Sequence, residues 1–94
     1  MPLYVTLLKY TTEGIKGISA ERGQQIRNLM VSKGGKPVAG YALMGEWDLL
    51  NITEYPDEKS AMSALVAIGK MGVFTTQTMT AIPVEEFQNL AQNA

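Results

Sequence analysis

The 94-residue sequence predicts an α+β fold in which two helices cover one face of a four-stranded antiparallel sheet. Three observations predict it. Stretches rich in valine, threonine, leucine and tyrosine alternate with stretches whose apolar residues recur at helical spacing. Their order along the chain is strand, helix, strand, strand, helix, strand. The middle two strands meet at Gly45-Glu46, a tight connection that begins with glycine, as two-residue hairpin loops often do.

Each element has its own warrant. Leu3 to Thr11 alternates as a strand, with Leu3, Val5 and Leu7 on one face and Tyr4, Thr6, Leu8 and Tyr10 on the other. Thr12 to Gly14 breaks that pattern. Ser19 can cap a helix that carries Ile26, Leu29 and Met30 before Gly34-Gly35 ends it, although Gly23 in its interior weakens it. Val38 to Met44 is the second strand, and Pro37 near its start places it at an edge, because proline cannot donate to a neighbour. Trp47 to Tyr55 is the third. Asp57 caps a helix striped by Ala61, Leu65 and Ile68 and ended at Gly72. Val73 to Ile82 is a threonine-rich fourth strand. Pro83 suits a first helical position, and Val84, Phe87, Leu90 and Ala91 give a short C-terminal helix one apolar side. Residues 1–94 contain no linker or repeat and are expected to form one domain.

This order is that of a ferredoxin-like βαββαβ sandwich with a short C-terminal helix, whose strands lie in the order fourth, first, third, second. A two-residue turn at Gly45-Glu46 pairs Leu43 with Asp48, Ala42 with Leu49 and Tyr41 with Leu50. One face then collects Val5, Leu7, Tyr41, Leu43, Leu50 and Ile52, and is expected to lie under the helices. The other collects Tyr4, Thr6, Leu8, Tyr10, Ala42, Met44, Trp47, Leu49 and Asn51. It is too apolar to be solvated, so a second copy of the sheet is its expected partner.

Composition removes several classes of function. A chain this short buries roughly 60 to 70% of its unfolded surface, and association is the expected supplement to its core. There is no cysteine and no histidine, which excludes disulfides, thiolate nucleophiles, Ser-His catalysis and the usual zinc ligands. The acidic residues are scattered instead of grouped at calcium- or magnesium-site spacing, so neither metal nor cofactor is expected. Eight basic residues against nine acidic ones, without runs, offer no footprint for nucleic acid or an anionic membrane surface. The N-terminus lacks the features of a signal peptide and no apolar run nears the ~20 residues of a membrane span, so a cytoplasmic location is expected.

The run Tyr41-x-x-x-Gly45-Glu46-Trp47-Asp48, with Glu54-x-Pro56-Asp57 and an alanine-rich helix after it, resembles the GYD-domain family, named for a Gly-x-Tyr-Asp pattern. The opening Tyr4-Val5-x-Leu7-x-Lys9-Tyr10-Thr11, the Gly34-Gly35-Lys36 turn and the ending Thr75-x-Gln77-Thr78-x-Thr80-Ala81-x-Pro83 resemble it too. Trp47 departs from the pattern where the family name expects tyrosine. The resemblance implies a ferredoxin-like protomer that pairs sheet to sheet as a dimeric α+β barrel, hence a homodimer or higher homo-oligomer. It implies no reaction. Gly-x-x-Asp at the head of a third strand is also similar to the ligand-sensing domains of leucine-responsive regulators, which bind small metabolites.

Four residues are candidates for a ligand site. Tyr41 and Asp48 are polar groups that the hairpin register sends to an otherwise aliphatic face, where burial demands partners. Lys9 ends the adjoining strand, and Trp47 stands beside Asp48. Each has an ordinary structural role open to it: an ion pair or a bond to free amides for Asp48, a rim hydroxyl for Tyr41, packing for Trp47. Three functions stay open on these residues. They are a small-molecule-binding module, a cofactor-free enzyme using Asp48 and Tyr41, and a ligand-free structural or regulatory oligomerisation module.

Overall fold

The computed structural model describes residues 1–94. In chain order the elements are β1 (Leu3–Tyr10), α1 (Thr12–Lys16), α2 (Ala20–Ser32), β2 (Lys36–Ala42), β3 (Leu49–Glu54), α3 (Glu58–Lys70), β4 (Phe74–Ala81) and α4 (Val84–Gln92). The sheet order is β2-β3-β1-β4 and every neighbouring pair is antiparallel. This is the ferredoxin-like arrangement expected from the element order, with β2 at an edge.

Local chemistry sets the helix starts. The Ser19 hydroxyl accepts from the Arg22 amide at 3.1 Å, and the Asp57 carboxylate accepts from the Ser60 amide at 2.8 Å, satisfying donors that the first turn leaves free. One helix was not expected. Thr11 caps the short α1, accepting from Gly14 N at 3.0 Å, while its hydroxyl donates to the Gly72 carbonyl at 2.9 Å and its amide to the Val73 carbonyl at 3.0 Å. What reads as a break in the pattern is thus a turn of helix pinned to the loop before β4. Gly14 is there for close approach: a Cβ on it would stand 2.1 Å from the Val73 carbonyl oxygen.

The hairpin register is as expected, with Tyr41 opposite Leu50 and Ala42 opposite Leu49. Its connection is wider than two residues. Pairing stops at Ala42 and resumes at Leu49, and the Leu43 amide donates to the Asp48 carbonyl at 2.8 Å across the gap. Asp48 is drawn toward β1 instead: its amide donates to the Leu8 carbonyl at 2.9 Å. Near Pro37 the register slips, so that Val38 is passed over between Pro37 and Ala39. An edge strand tolerates such a bulge.

The two sheet faces are exchanged relative to the expectation. Tyr4, Thr6 and Leu8 are buried, with Leu8 at 0% exposure, and the core joins Tyr4, Leu8, Tyr55 and Phe74 to Ile26 and Met30 of α2 and Ala61, Ala64 and Ile68 of α3. The helices therefore cover the tyrosine- and threonine-bearing face. The physical reason is that its hydroxyls find partners inside: Thr6 and Thr78 hydroxyls lie 2.8 Å apart, and the Thr53 hydroxyl donates to Met30 Sδ at 3.6 Å. Its rings also pack on one another, Tyr4 edge-on to Tyr55 with centroids 5.6 Å apart and Tyr10 tilted on Phe74 at 4.8 Å.

The opposite face is the aliphatic one. Register aligns Ala39, Ile52, Val5 and Met79 in one row across all four strands, and Tyr41, Leu50, Leu7 and Gln77 in the next. Val5, Leu7, Leu50 and Ile52 are half-buried, and Tyr41 is 59% exposed. Neither α2 nor α3 lies on this side. α4 also lacks cover, for none of its residues is buried although Val84, Phe87 and Leu90 make one apolar side. The radius of gyration is accordingly 14.3 Å, where a compact chain of this length has about 12 Å. No helix is long and apolar enough to cross a membrane.

Candidate functional site

Two places could hold a ligand, one on each side of the sheet. The first is the end of the open face. Strand alternation sends Lys9 and Tyr41 to that face, where Lys9 is exposed, and the half-buried Asp48 stands at the same end of the sheet, in the bend just before β3. The Asp48 carboxylate accepts from the Tyr10 amide at 2.9 Å, while the Asp48 amide holds the Leu8 carbonyl. This one residue carries the β1–β3 ladder past the last paired residues, with its amide and its carboxylate both bonded to β1. The bond to a free amide is thus present. The sole salt bridge of the protein joins Lys16 to Glu13, so Lys9 and Asp48 form no ion pair. Trp47 lies half-buried in the connection and outside the core.

The second place is a half-open cleft of about 550 Å3 between α2 and the β2–β3 half of the sheet, on the helix side. Fourteen residues line it, eight of them hydrophobic. α2 contributes Gly23, Ile26, Arg27 and Met30, which the helical repeat puts on one stripe, and the sheet contributes Gly40 and Asn51 opposite one another. Tyr41 also lines it, and is the one candidate residue from the sequence that does. The other cleft residues escaped the sequence reading. The signal that could have found them is a pair of glycines, Gly23 and Gly40, inside a helix and inside a strand, where neither positive φ nor a turn requires glycine.

Three ionisable groups are perturbed, and all lie away from these places. Burial, then the nearby Glu58 and Asp57 carboxylates, pushes the Tyr4 phenol above its ordinary 10.0, and burial alone raises that of Tyr55. The bond from the Ser60 amide holds Asp57 below its ordinary 3.8. These shifts belong to the core and a helix cap. No three His, Cys, Asp or Glu side chains are grouped so as to hold a metal ion.

A four-stranded ferredoxin-like sheet with helices on one side and an uncovered aliphatic face on the other defines the class, a small α+β sandwich domain. Within that class the chain belongs to the GYD domain family, whose pattern matches residues 4–91. It is 29% identical over 89 residues to the glutamine synthetase and cystathionine beta-lyase binding protein of Thermus thermophilus, with 92% of this chain and 94% of that protein covered. Its fold is similar to the crystal structure of FFRP-DM1, with a TM-score of 0.59 at 23% identity, covering 87% of this chain and 100% of the other. It is likewise similar to a hypothetical protein, PHS023, of Pyrococcus horikoshii, with a TM-score of 0.56 at 22% identity, covering 88% of this chain and 92% of the other.

Proposed function

We propose that the protein is a homodimeric binding module, in which two copies pair sheet to sheet as a dimeric α+β barrel and each protomer holds a small molecule. The observation that carries this is the uncovered row Ala39, Ile52, Val5 and Met79, apolar across the full width of the sheet. Only 13 of 94 residues are buried in the protomer, and apolar area left in water forfeits about 25 cal/mol per Å2. A second sheet stacked roughly 10 Å away recovers that area. In such a pair Lys9, Tyr41 and Asp48 stand at one end of the space between the sheets, where they can contact a ligand. Size-exclusion chromatography with light scattering at micromolar concentration tests the pairing. Twice the 10.2 kDa chain mass is expected; a monomer refutes the reading.

A second reading has its own support, the name of the Thermus thermophilus relative, which describes a protein that binds two enzymes of small-molecule metabolism. In this reading the module docks on such an enzyme through a surface that sheet pairing leaves free. The outer side of α3 offers Met62 and Val66, one helical turn apart and 66% and 59% exposed. Glutamine synthetase and cystathionine beta-lyase from the same organism should co-elute with the protein, and Met62→Glu combined with Val66→Glu should release them while the dimer persists. Failure of the wild type to retain either enzyme refutes this reading.

A further inference from the structure

The cleft beside α2 is kept open by the sequence, and its lining has one sign of charge. α3 closes on the sheet with Ala61, Ala64 and Ile68, each at most 2% exposed. α2 instead turns a glycine toward the sheet. A Cβ at Gly23 would meet nothing closer than Arg27 Nη1 at 3.9 Å, so alanine fits there and would favour the helix. Across the cleft, Gly40 sits in the interior of β2 opposite Asn51, where a side chain would favour the strand. A Cβ at Gly40 would stand 3.2 Å from Asn51 Oδ1, so its absence uncovers that amide toward the cleft. Both positions give up local stability and both leave room in the same space.

Arg27 is the only charged residue among those lining the cleft, and no carboxylate is present there to neutralise it. Its guanidinium reaches only a neutral partner, Gln24 Oε1, at 3.0 Å. Four of its five N–H donors therefore remain for a ligand, in a fork that matches a carboxylate. Deeper in, Ile26 and Met30 supply an apolar wall, and Asn51 lines the sheet side across from it. A volume of about 550 Å3 falls in the ordinary range for small-molecule sites.

We infer that this cleft binds a small monocarboxylate with an apolar body, the carboxylate held by Arg27 and the body laid between Ile26, Met30 and the glycine-lined wall. This rests on the binding-module reading for the presence of a ligand, adds its class, and places it in the cleft instead of between the sheets. It needs no second copy, because the cleft lies on the helix side of the sheet.

The test uses 15N-labelled full-length protein and matched acid and amide probes: octanoate with octanamide, and 4-phenylbutyrate with 4-phenylbutyramide. The acids should move the amide signals of Gly23, Gly40 and Asn51, and bind about tenfold to a hundredfold more tightly than the amides, the span a charged hydrogen-bonded partner supplies. Arg27→Gln, at an exposed position, should erase the difference between acid and amide. Gly23→Ala should raise the melting temperature yet weaken binding of the acids. If no probe moves these signals, if Arg27→Gln leaves the acid preference intact, or if the shifts gather at Lys9 and Asp48 instead, the inference is overturned. Light scattering on the same samples reads the dimer separately, so failure of the pairing and failure of the cleft are distinguishable.

Discussion

Val5→Glu and Leu8→Glu put the same side chain three residues apart on β1, yet on opposite faces, and they should fail in different ways. In the separated protomer Val5 is half-buried on the open face, so a glutamate there reaches water and costs under about 1 kcal/mol. In the sheet-paired dimer both copies bury that carboxylate. The cations on the same face stand toward its ends: Lys9 four residues along the strand, about 13 Å away, and Lys36 two strands over, opposite Glu54. At several kcal/mol for each unpaired buried charge, and with the covered valines lost as well, the dimer should weaken by about 8 kcal/mol. That is roughly five to six powers of ten in Kd, enough to leave only monomer. Leu8 has 0% exposure and lies in the core. Removing it costs about 2–5 kcal/mol, and the buried charge adds several more, together comparable to the ~5–15 kcal/mol that stabilises a whole domain. Circular-dichroism melting and light scattering on both variants give the answer. A folded monomer is expected for Val5→Glu and an unfolded chain for Leu8→Glu. A folded, dimeric Val5→Glu protein would refute sheet pairing, and a folded Leu8→Glu protein would refute the assignment of faces.

Other perturbations bear on the framework. Gly14→Ala drives a Cβ to 2.1 Å from the Val73 carbonyl oxygen and strains the two bonds Thr11 makes to that loop; a loss of about 2–4 kcal/mol is expected, read as a lower urea midpoint. Asp48→Ala orphans the Tyr10 amide and should cost about 1.5–3 kcal/mol, whereas Asp48→Asn keeps an acceptor and should cost less than half as much; equal losses in the two variants would show that the bond to Tyr10 contributes little. The folded state holds the Tyr4 and Tyr55 protons more tightly than the unfolded chain. Their contribution is thus complete below pH 10.0, the ordinary value, and is lost as pH rises through the raised folded values. Chemical denaturation above and below that pH should show the fall, and Tyr55→Phe should flatten it. Asp57 has the opposite sign: its value is lowered on folding, so its contribution is present above 3.8 and disappears as pH falls below it. Asp57→Asn should make acid unfolding shallower.

The elements were legible because their signals are local. Ser19 and Asp57 mark helix starts through bonds that span three residues, and Pro37 marks an edge through a donor it lacks. The pairing of Tyr41 with Leu50 followed from counting back from Gly45. The choice of face did not follow, since alternation separates two sets of residues without saying which set the helices take. Aliphatic content pointed to Val5, Leu7, Leu50 and Ile52, but the threonines of the other set satisfy one another across strands that are distant in sequence, such as Thr6 and Thr78. The role of Asp48 was half legible: its search for free amides was foreseen, and its donor proved to be Tyr10 of the neighbouring strand. The cleft was least legible, because an interior glycine such as Gly23 reads as a weak point in a helix until the space it leaves is seen.

The C-terminal helix ties shape to concentration. α4 spans nine residues and buries none of them, while helices below ~12–15 residues are marginal in water on their own hydrogen bonds. Val84, Phe87 and Leu90 are each more than 60% exposed, so only cover from outside the protomer can repay the entropy of ordering this segment. If the proposed second copy supplies that cover, secondary structure and association share one free energy. Diluting the protein should melt its last two turns before anything else changes, and the segment that looks most expendable becomes the one whose order reports how many chains are present.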